Sequence, residues 1–206
     1  IYLRARGLDT HTLPSVLRAQ LPPGLEGRLT AQLWSQWSEA RPVVVRGRID
    51  AAALALPLYG ARPIAIKQMA ADVKWSGNRD TSRWRLDMEQ VFLGLSGKPW
   101  SAGKLRLEHR PGDYMLRARH LNLDDLSAFL ATLSEEYAMP QWLRSLKPTG
   151  DLDDFVLQLK GDPTAPTTYS LQTGIRALSV QAYDRIPGVQ GLSGRLSLDT
   201  TSGELQ

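Results

Sequence analysis

The stretch SRWRLDMEQVFL, residues 82–93, decides the fold class. Trp84, Leu86 and Met88 are apolar, and the positions between them carry charged side chains. Because successive side chains of an extended chain point to opposite sides, this alternation predicts a β-strand with one apolar and one solvated face. After Gln90 the apolar positions shift by one residue, which predicts a β-bulge or a change of face.

The same alternation recurs along most of the 206 residues. Turn sequences such as SGNRD at 76–80 and RPGD at 110–113 separate the alternating segments. Gaps this short join antiparallel neighbours, because parallel strands need crossovers of about a dozen residues. We therefore predict a β-dominated α+β fold built on a long antiparallel sheet. Its further strands include the segments RLTAQLWSQW, PVVVRGRID, IAIKQMAADVKW, GKLRLEHR, DYMLRARHL, DFVLQLKG and SGRLSLD.

Two short helical insertions interrupt the strand pattern. Thr12 is a suitable N-cap for a helix near 13–21, which the PPG sequence that follows would end. A longer insertion is predicted near 123–146, where apolar residues fall at helical spacing after Asn122 or Asp124 as the N-cap. Both insertions are predicted to be amphipathic and to lie against the sheet.

Two blocks of sequence occur twice. LRARGLDTHTL at 3–13 matches LRARHLNLDDL at 116–126, an offset of 116 − 3 = 113. PPGLEGRLTAQL at 22–33 matches PTGDLDDFVLQL at 148–159, an offset of 148 − 22 = 126. The second copy therefore holds 126 − 113 = 13 extra residues, in the longer helical segment. We predict two repeats, residues 1–113 and 114–206, within one continuous sheet.

Composition excludes several classes of function. Hydrophobic residues make up 42% and charged residues 22% of the chain, which is typical of a folded protein. The basic residues are dispersed, so the net charge of +4 indicates a solvated face and no nucleic-acid partner. The chain has no cysteine, which excludes disulfides, thiolate metal sites and a cysteine nucleophile. Because Ile1 already stands inside a strand pattern, we expect the sequence to be a piece of a longer chain.

The polar residues do not form a recognisable catalytic motif. His11, His109 and His120 are not paired at metal-ligand spacing, and His109 is expected in the turn around RPGD. The acidic sequence GDLDD at 150–154 lacks the spacing of a calcium-binding loop and is interpreted as a solvated turn that enters a strand. The protein is therefore expected not to be an enzyme and to bind neither a metal nor a cofactor.

Tryptophan is frequent in the predicted strands. Trp34, Trp37, Trp75 and Trp84 lie in strands or at their ends. Tryptophan can stack on glycans or on nucleic-acid bases, but packing or an interfacial position along the sheet explains these residues more economically.

These patterns resemble the AsmA-like family of Gram-negative envelope proteins, and in particular its YhdP branch. The resemblance rests on LRARGLDTHTL and LRARHLNLDDL, each followed by a helix, a Pro/Gly turn and an amphipathic strand, and on IPGVQGLSGRLSLDTTSGEL at 186–205. It implies a long curved sheet, a repeating β-groove with an apolar concave face, in a periplasmic protein anchored in the inner membrane. It also implies a bridge-like role in moving phospholipids between the inner and outer membranes. Protein partners in the envelope are left open.

A groove of this kind must shield hydrocarbon from water. Each exposed methylene of an acyl chain costs roughly 0.8 kcal/mol, so a conduit needs a continuous apolar strip. Alternating strands in register supply such a strip on one face of a sheet. We predict that phospholipid acyl chains contact Leu29, Leu33, Trp84, Leu86, Met88, Leu105, Leu107, Leu116, Ala118, Phe155, Leu157, Leu159, Tyr169, Leu171 and Ile175.

A second interpretation remains open from the residues alone. The same apolar face could be the closed core of a structural or interaction module of the envelope, with no lipid conduit. In that case the insertions would cover the face, so the position of residues 122–146 relative to the sheet distinguishes the two interpretations.

Overall fold

The computed structural model describes residues 1–12, 26–38, 41–56, 64–78, 82–94, 100–130, 145–162, 165–184 and 187–206. Within these ranges the chain forms eleven strands and one α-helix. The strands are β1 (Tyr2–Asp9), β2 (Glu26–Ser38), β3 (Arg41–Leu56), β4 (Ile64–Asn78), β5 (Arg83–Gly94), β6 (Trp100–Arg110), β7 (Asp113–Asn122), β8 (Thr149–Asp162), β9 (Ala165–Val180), β10 (Val189–Asp199) and β11 (Gly203–Leu205), and the helix α1 (Leu123–Leu130) follows β7.

The strands form one open sheet in chain order, from β1 at one edge to β11 at the other. Every pair of neighbours is antiparallel. The prediction of a β-dominated fold with a large, curved antiparallel sheet is confirmed. Among the described residues, no helix has the length and apolarity that a membrane span requires.

The two margins of the sheet differ in the length of their connections. At one margin, which we call the hairpin margin, β6 and β7 are joined by Pro111 and Gly112 alone, and the β4–β5 and β8–β9 connections are similarly short. At the other, the insertion margin, β1 and β2 are separated by residues 10–25, and β7 and β8 by residues 123–148. The two connections in which the sequence predicts helical insertions therefore begin and end at the same margin.

Helix α1 begins where the sequence predicts. The side chain of Asn122 accepts a hydrogen bond from the backbone N–H of Asp125 at 3.1 Å, which is the N-cap interaction. Asp124 and Asp125 in the first turn complement the positive end of the helix dipole. The helix lies against β6, β7 and β8, and Leu126 packs on the buried apolar cluster. The insertion predicted near 13–21, and residues 131–144 of the second insertion, lie outside the described residues.

Of the two alternatives predicted after Gln90, a bulge or a change of face, the structure has the bulge. Gln90 has φ 51°, in the left-handed region, and the β4–β5 register shifts between Ala70 and Asp72. Met88 and Val91 flank the bulge three positions apart, so both stay on the apolar face. The same bulge occurs in five more of the described strands. In each, a residue with positive φ has apolar residues at positions i−2 and i+1. The residues with positive φ in these bulges are Gly7, Ala53, Asp154, Ala177 and Gly191. Because bulged strands bend, these bulges contribute to the curvature of the sheet.

The apolar cluster lies on one face of the sheet, near the insertion margin. Its buried members are Ala71, Val91, Leu105, Ala118, Leu121, Leu123, Leu152 and Ile175. The opposite face is polar and is crossed by ion pairs between neighbouring strands, for example Arg106 Nε to Asp87 Oδ1 at 2.6 Å and Arg85 Nε to Glu108 Oε1 at 3.2 Å. One face is therefore apolar and the other is solvated, as in other antiparallel sheets.

Two sequence predictions are wrong in detail. The GDLDD sequence is not a turn but part of β8, because Asp151 and Asp153 find partners on the neighbouring strands. Asp151 accepts a hydrogen bond from Asn122 at 2.9 Å, and Asp153 accepts one from Arg176 at 2.8 Å. His109 likewise lies within β6 and not in the turn, since its ring stacks on the side chain opposite it in β7.

Candidate functional site

The apolar face is ordered in rows that run across the strands, because directly opposed residues of antiparallel neighbours point to the same side. One row, which we call the leucine row, crosses eight strands from β3 to β10. Every member is half-buried: Val45, Trp75, Leu86, Leu107, Leu116, Leu157, Leu171 and Leu198. At about 4.8 Å per strand, its seven gaps span roughly 34 Å, and the indole nitrogen of Trp75 is the single polar side-chain atom in the row.

A second row lies nearer the hairpin margin, two residues along each strand. This aromatic row consists of Trp84, His109, Tyr114, Leu159 and Tyr169. The ring of His109 stacks on Tyr114 with centroids 4.4 Å apart, and Trp84 lies 5.6 Å from His109 on the other side. Tyr169 keeps 43% of its surface exposed, so this side of the face reaches solvent.

A third row lies on the other side of the leucine row, toward the insertion margin. This inner row consists of Leu33, Gly47, Val73, Met88, Leu105, Ala118 and Phe155. Leu105 and Ala118 are buried, and so are Leu121, Leu152 and Ile175 beyond them. Exposure of the apolar face therefore falls from the hairpin margin to the insertion margin.

The structure places all fifteen predicted groove residues on this face. Leu86, Leu107, Leu116, Leu157 and Leu171 belong to the leucine row; Leu33, Met88, Leu105, Ala118 and Phe155 belong to the inner row; and Trp84, Leu159 and Tyr169 belong to the aromatic row. Leu29 and Ile175 lie closer still to the insertion margin, in register with Ala51 and Leu152. That these side chains contact lipid stays a prediction.

Sequence reasoning missed other members of the rows. Val73 and Trp75 stand in the alternating sequence ADVKW, and Leu198 stands in GRLSLD, so the signal that identified the other residues was present for these three. His109 had no such signal, because a histidine beside RPGD is typical of a turn. Only the pairing of β6 with β5 and β7 shows that it belongs to the apolar face.

The helical cover of the face is confined, in the described residues, to the insertion margin. Helix α1 contacts β6, β7 and β8, and Leu126 joins the buried cluster there. The leucine row is half-buried along its whole length, both on β6, β7 and β8, which the helix contacts, and on the other strands of the row. The remainder of the predicted cover, residues 131–144, lies outside the described residues.

The titratable side chains concentrate on the polar face. His120 Nδ1 lies 2.9 Å from Asp153 Oδ1, and this hydrogen bond, together with the charge of Arg176, lowers the pKa of Asp153 against the opposing effect of burial. Within the described ranges, no three His, Asp or Glu side chains are placed to hold a metal ion. These groups form cross-strand pairs that hold β7, β8 and β9 in register.

Comparison with known proteins gives one match. The family model described as "YhdP protein" matches residues 1–206, the whole of the chain. Neither a curated protein nor a solved structure matches it.

Proposed function

The chain belongs to the YhdP family, and on that premise we propose that it forms a section of a bridge-like conduit that carries phospholipids between the inner and outer membranes. In this proposal the chain lies in the periplasm, in a protein anchored in the inner membrane. Its ligands are phospholipid acyl chains, and its role is to shield them from water and not to catalyse a reaction.

The observation that carries the proposal is the leucine row. Its side chains are half-buried over eight strands, whereas a closed core would bury them. An acyl chain laid against this row removes hydrocarbon from water at roughly 0.8 kcal/mol per methylene. The row spans roughly 34 Å, so a lipid bound against it can move past several strands without leaving apolar side chains.

The row also suits transport better than storage. Its members are alike along the row, since Leu86, Leu107, Leu116, Leu157 and Leu171 follow one another on adjacent strands. Equivalent contacts at each strand hold a lipid with similar free energy at each position, so that movement along the row meets no deep minimum. This supports a nonspecific path for acyl chains and not a single binding pocket.

The test compares two substitutions that are adjacent in sequence but lie on opposite faces. Leu157→Asp places a carboxylate in the leucine row, whereas Val156→Asp places one on the polar face, opposite Arg117. The purified chain is expected to retain phospholipid, measured by mass spectrometry after extraction. The Leu157→Asp variant should lose it, and the Val156→Asp variant should keep it. Circular dichroism checks that both variants keep the sheet.

Two results would sink the proposal. If the wild-type chain carries no phospholipid and takes up none from vesicles, the face is not a conduit, and the closed structural module is the better interpretation. If both variants retain as much lipid as the wild type, with transport in the envelope unchanged, the leucine row is not the path.

A further inference from the structure

The aromatic row brings several polar atoms together on the apolar face, on four of five neighbouring strands and beside the hairpin margin. Within the described residues, the indole N–H of Trp84 and the hydroxyls of Tyr114 and Tyr169 have no hydrogen-bond partner in the protein. His109 Nδ1 is buried and is also without a partner. The row thus combines apolar rings with unused hydrogen-bonding groups.

The neighbouring row has a different chemistry. In the leucine row, two residues nearer the insertion margin, the same strands carry leucines, which have no polar side-chain atom. These are Leu86, Leu107, Leu116, Leu157 and Leu171. The face is therefore graded along the strand direction, from amphipathic rings at the hairpin margin, through aliphatic side chains, to the buried cluster at the insertion margin. Tryptophan and tyrosine occupy the same boundary between hydrocarbon and water at membrane surfaces.

The depth of the face also fits an acyl chain. From the aromatic row to the inner row is four residues, which is about 14 Å at roughly 3.4 Å per residue. One leaflet of bilayer hydrocarbon is about 15 Å thick. A lipid whose polar part lies at Tyr114 would therefore place its acyl chain over Leu116 and bring its end to Ala118 and the buried cluster.

We propose that the aromatic row binds the glycerol ester and phosphate region of a phospholipid, so that each lipid lies with its acyl chains across the leucine row and its headgroup in solvent at the hairpin margin. Donors on Trp84, Tyr114 and Tyr169 hydrogen-bond to ester or phosphate oxygens. This inference rests on the proposed function, which it extends by assigning an orientation to the ligand.

The experiment measures which end of the lipid each row contacts. Two variants each carry a single tryptophan, and their other native tryptophans are replaced by phenylalanine. The first retains Trp84 in the aromatic row, and the second has all six native tryptophans replaced and carries Phe155→Trp in the inner row. Trp75 is not used, because its ring lies over Gly77, which is directly opposite Trp84. The probes are phosphatidylglycerol lipids with a nitroxide either on the headgroup or near the methyl end of the acyl chain.

The headgroup nitroxide is expected to quench the fluorescence of Trp84 more than that of the Phe155→Trp variant, and the chain-end nitroxide is expected to do the reverse. Equal quenching of the two tryptophans by both probes, or the reversed order, overturns the orientation and leaves lipid binding intact. If neither probe quenches either tryptophan, and the wild-type chain is also unquenched, the proposed function itself fails.

A second measurement does not depend on replacing tryptophans. Tyr114→Phe keeps the ring and removes the hydroxyl, so it should weaken phosphatidylglycerol binding about two- to tenfold, the effect of one lost hydrogen bond. Binding of a long-chain alkane, which has no polar group, should not change. Tyr2→Phe is the control, because Tyr2 is exposed and packs on Trp34 away from this row. Unchanged phospholipid binding by both Tyr114→Phe and Tyr169→Phe would overturn the proposal.

Discussion

Arg106 and Arg117 lie directly opposite each other on β6 and β7. Like charges in directly opposed positions destabilise a sheet. Arg106 is compensated by a hydrogen bond from its Nε to Asp87 at 2.6 Å, which is also the main reason that its pKa is raised. Arg117 is exposed, its Nε lies 3.0 Å from Met115 Sδ, and it makes no ion pair with the residues that the structure describes.

Arg117→Glu should therefore stabilise the sheet. The substitution converts a repulsive cross-strand pair into an attractive one, worth about 0.2–1 kcal/mol in the free energy of unfolding. Urea denaturation measures the change. Arg117→Gln is the control, because it removes the repulsion without adding a partner, and its gain should be smaller. A Glu variant less stable than the Gln variant would show that the opposed charges do not interact.

Gln90→Gly should also stabilise the protein. A non-glycine residue in the left-handed region costs about 1–2 kcal/mol, and glycine avoids this cost at the expense of about 0.5–1 kcal/mol of chain entropy. We expect a net gain of roughly 0.5 kcal/mol.

The matched control is Gln172→Gly. Gln172 is an exposed strand glutamine in β9, and it is not among the residues with positive φ. There the same substitution should lower the unfolding free energy by about 0.5–1 kcal/mol. Losses of equal size at both positions would contradict the bulge geometry at Gln90.

Gly47→Ala should destabilise the pairing of β2 with β3. Gly47 has φ 156°, and a Cβ added there would overlap the carbonyl oxygen of Gln32 and lie 2.9 Å from the Cα of Leu33. Both groups are backbone and cannot turn aside, so we expect a loss of about 3 kcal/mol.

Thermal denaturation of Gly47→Ala and Gly103→Ala provides the comparison. Gly103 is exposed, and a Cβ there would meet no atom within 4 Å, so its replacement should be neutral or slightly stabilising. A melting temperature for Gly47→Ala equal to that of Gly103→Ala would refute the close approach of the two strands.

The hairpin between β10 and β11 should weaken in strong acid. Asp199 accepts hydrogen bonds from the backbone N–H groups and the hydroxyls of Thr201 and Ser202, and these bonds lower its pKa to about 2. Because the folded pKa is below the usual 3.8, the stabilisation is fully present above pH 3.8 and is lost as the pH falls through about 2.

Amide exchange or chemical shifts of Thr201 and Ser202 measure this transition. Asp199→Asn keeps an oxygen acceptor but cannot titrate, so its hairpin signals should not change over the same range of pH. A wild-type hairpin that titrates near pH 4 would show that the carboxylate is not held by the turn.

The sequence predicted the class of the sheet better than its register. Alternation along residues 82–93 was sufficient to predict a strand with two different faces, and it left a bulge and a change of face open at Gln90. The repeated blocks do not predict the pairing: Leu3 is opposite Leu33, whereas Leu116, its counterpart, is opposite Leu157 and not Leu159. Register depends on both neighbours of a strand, and a repeat in one chain segment does not contain that information.

The other features that the sequence did not predict also depend on contacts between strands. Aspartate is uncommon in strands, so the GDLDD sequence indicated a turn. In the structure Asp153 is paired with His120 and Arg176, which lie on neighbouring strands and are distant in sequence, so the sequence pattern did not show this pairing. The bulges at Ala53 and Ala177 lack a glycine to mark them, but the apolar pairs Ala51 and Leu54, and Ile175 and Leu178, have the same three-residue spacing as Met88 and Val91. That spacing is a usable signal for bulges in strands of this kind.

Because of the bulges, the curvature of the sheet does not depend on which of its faces is apolar. Each places one extra residue between two apolar positions, so a strand that lacked Gln90 would bring Met88 and Val91 to the ordinary two-residue spacing and keep both on the same side. The apolar face would survive such a deletion, and only the bend would be lost. Curvature in this chain is thus specified by single-residue insertions, which can be gained or lost one strand at a time without rewriting the alternation that makes the face apolar.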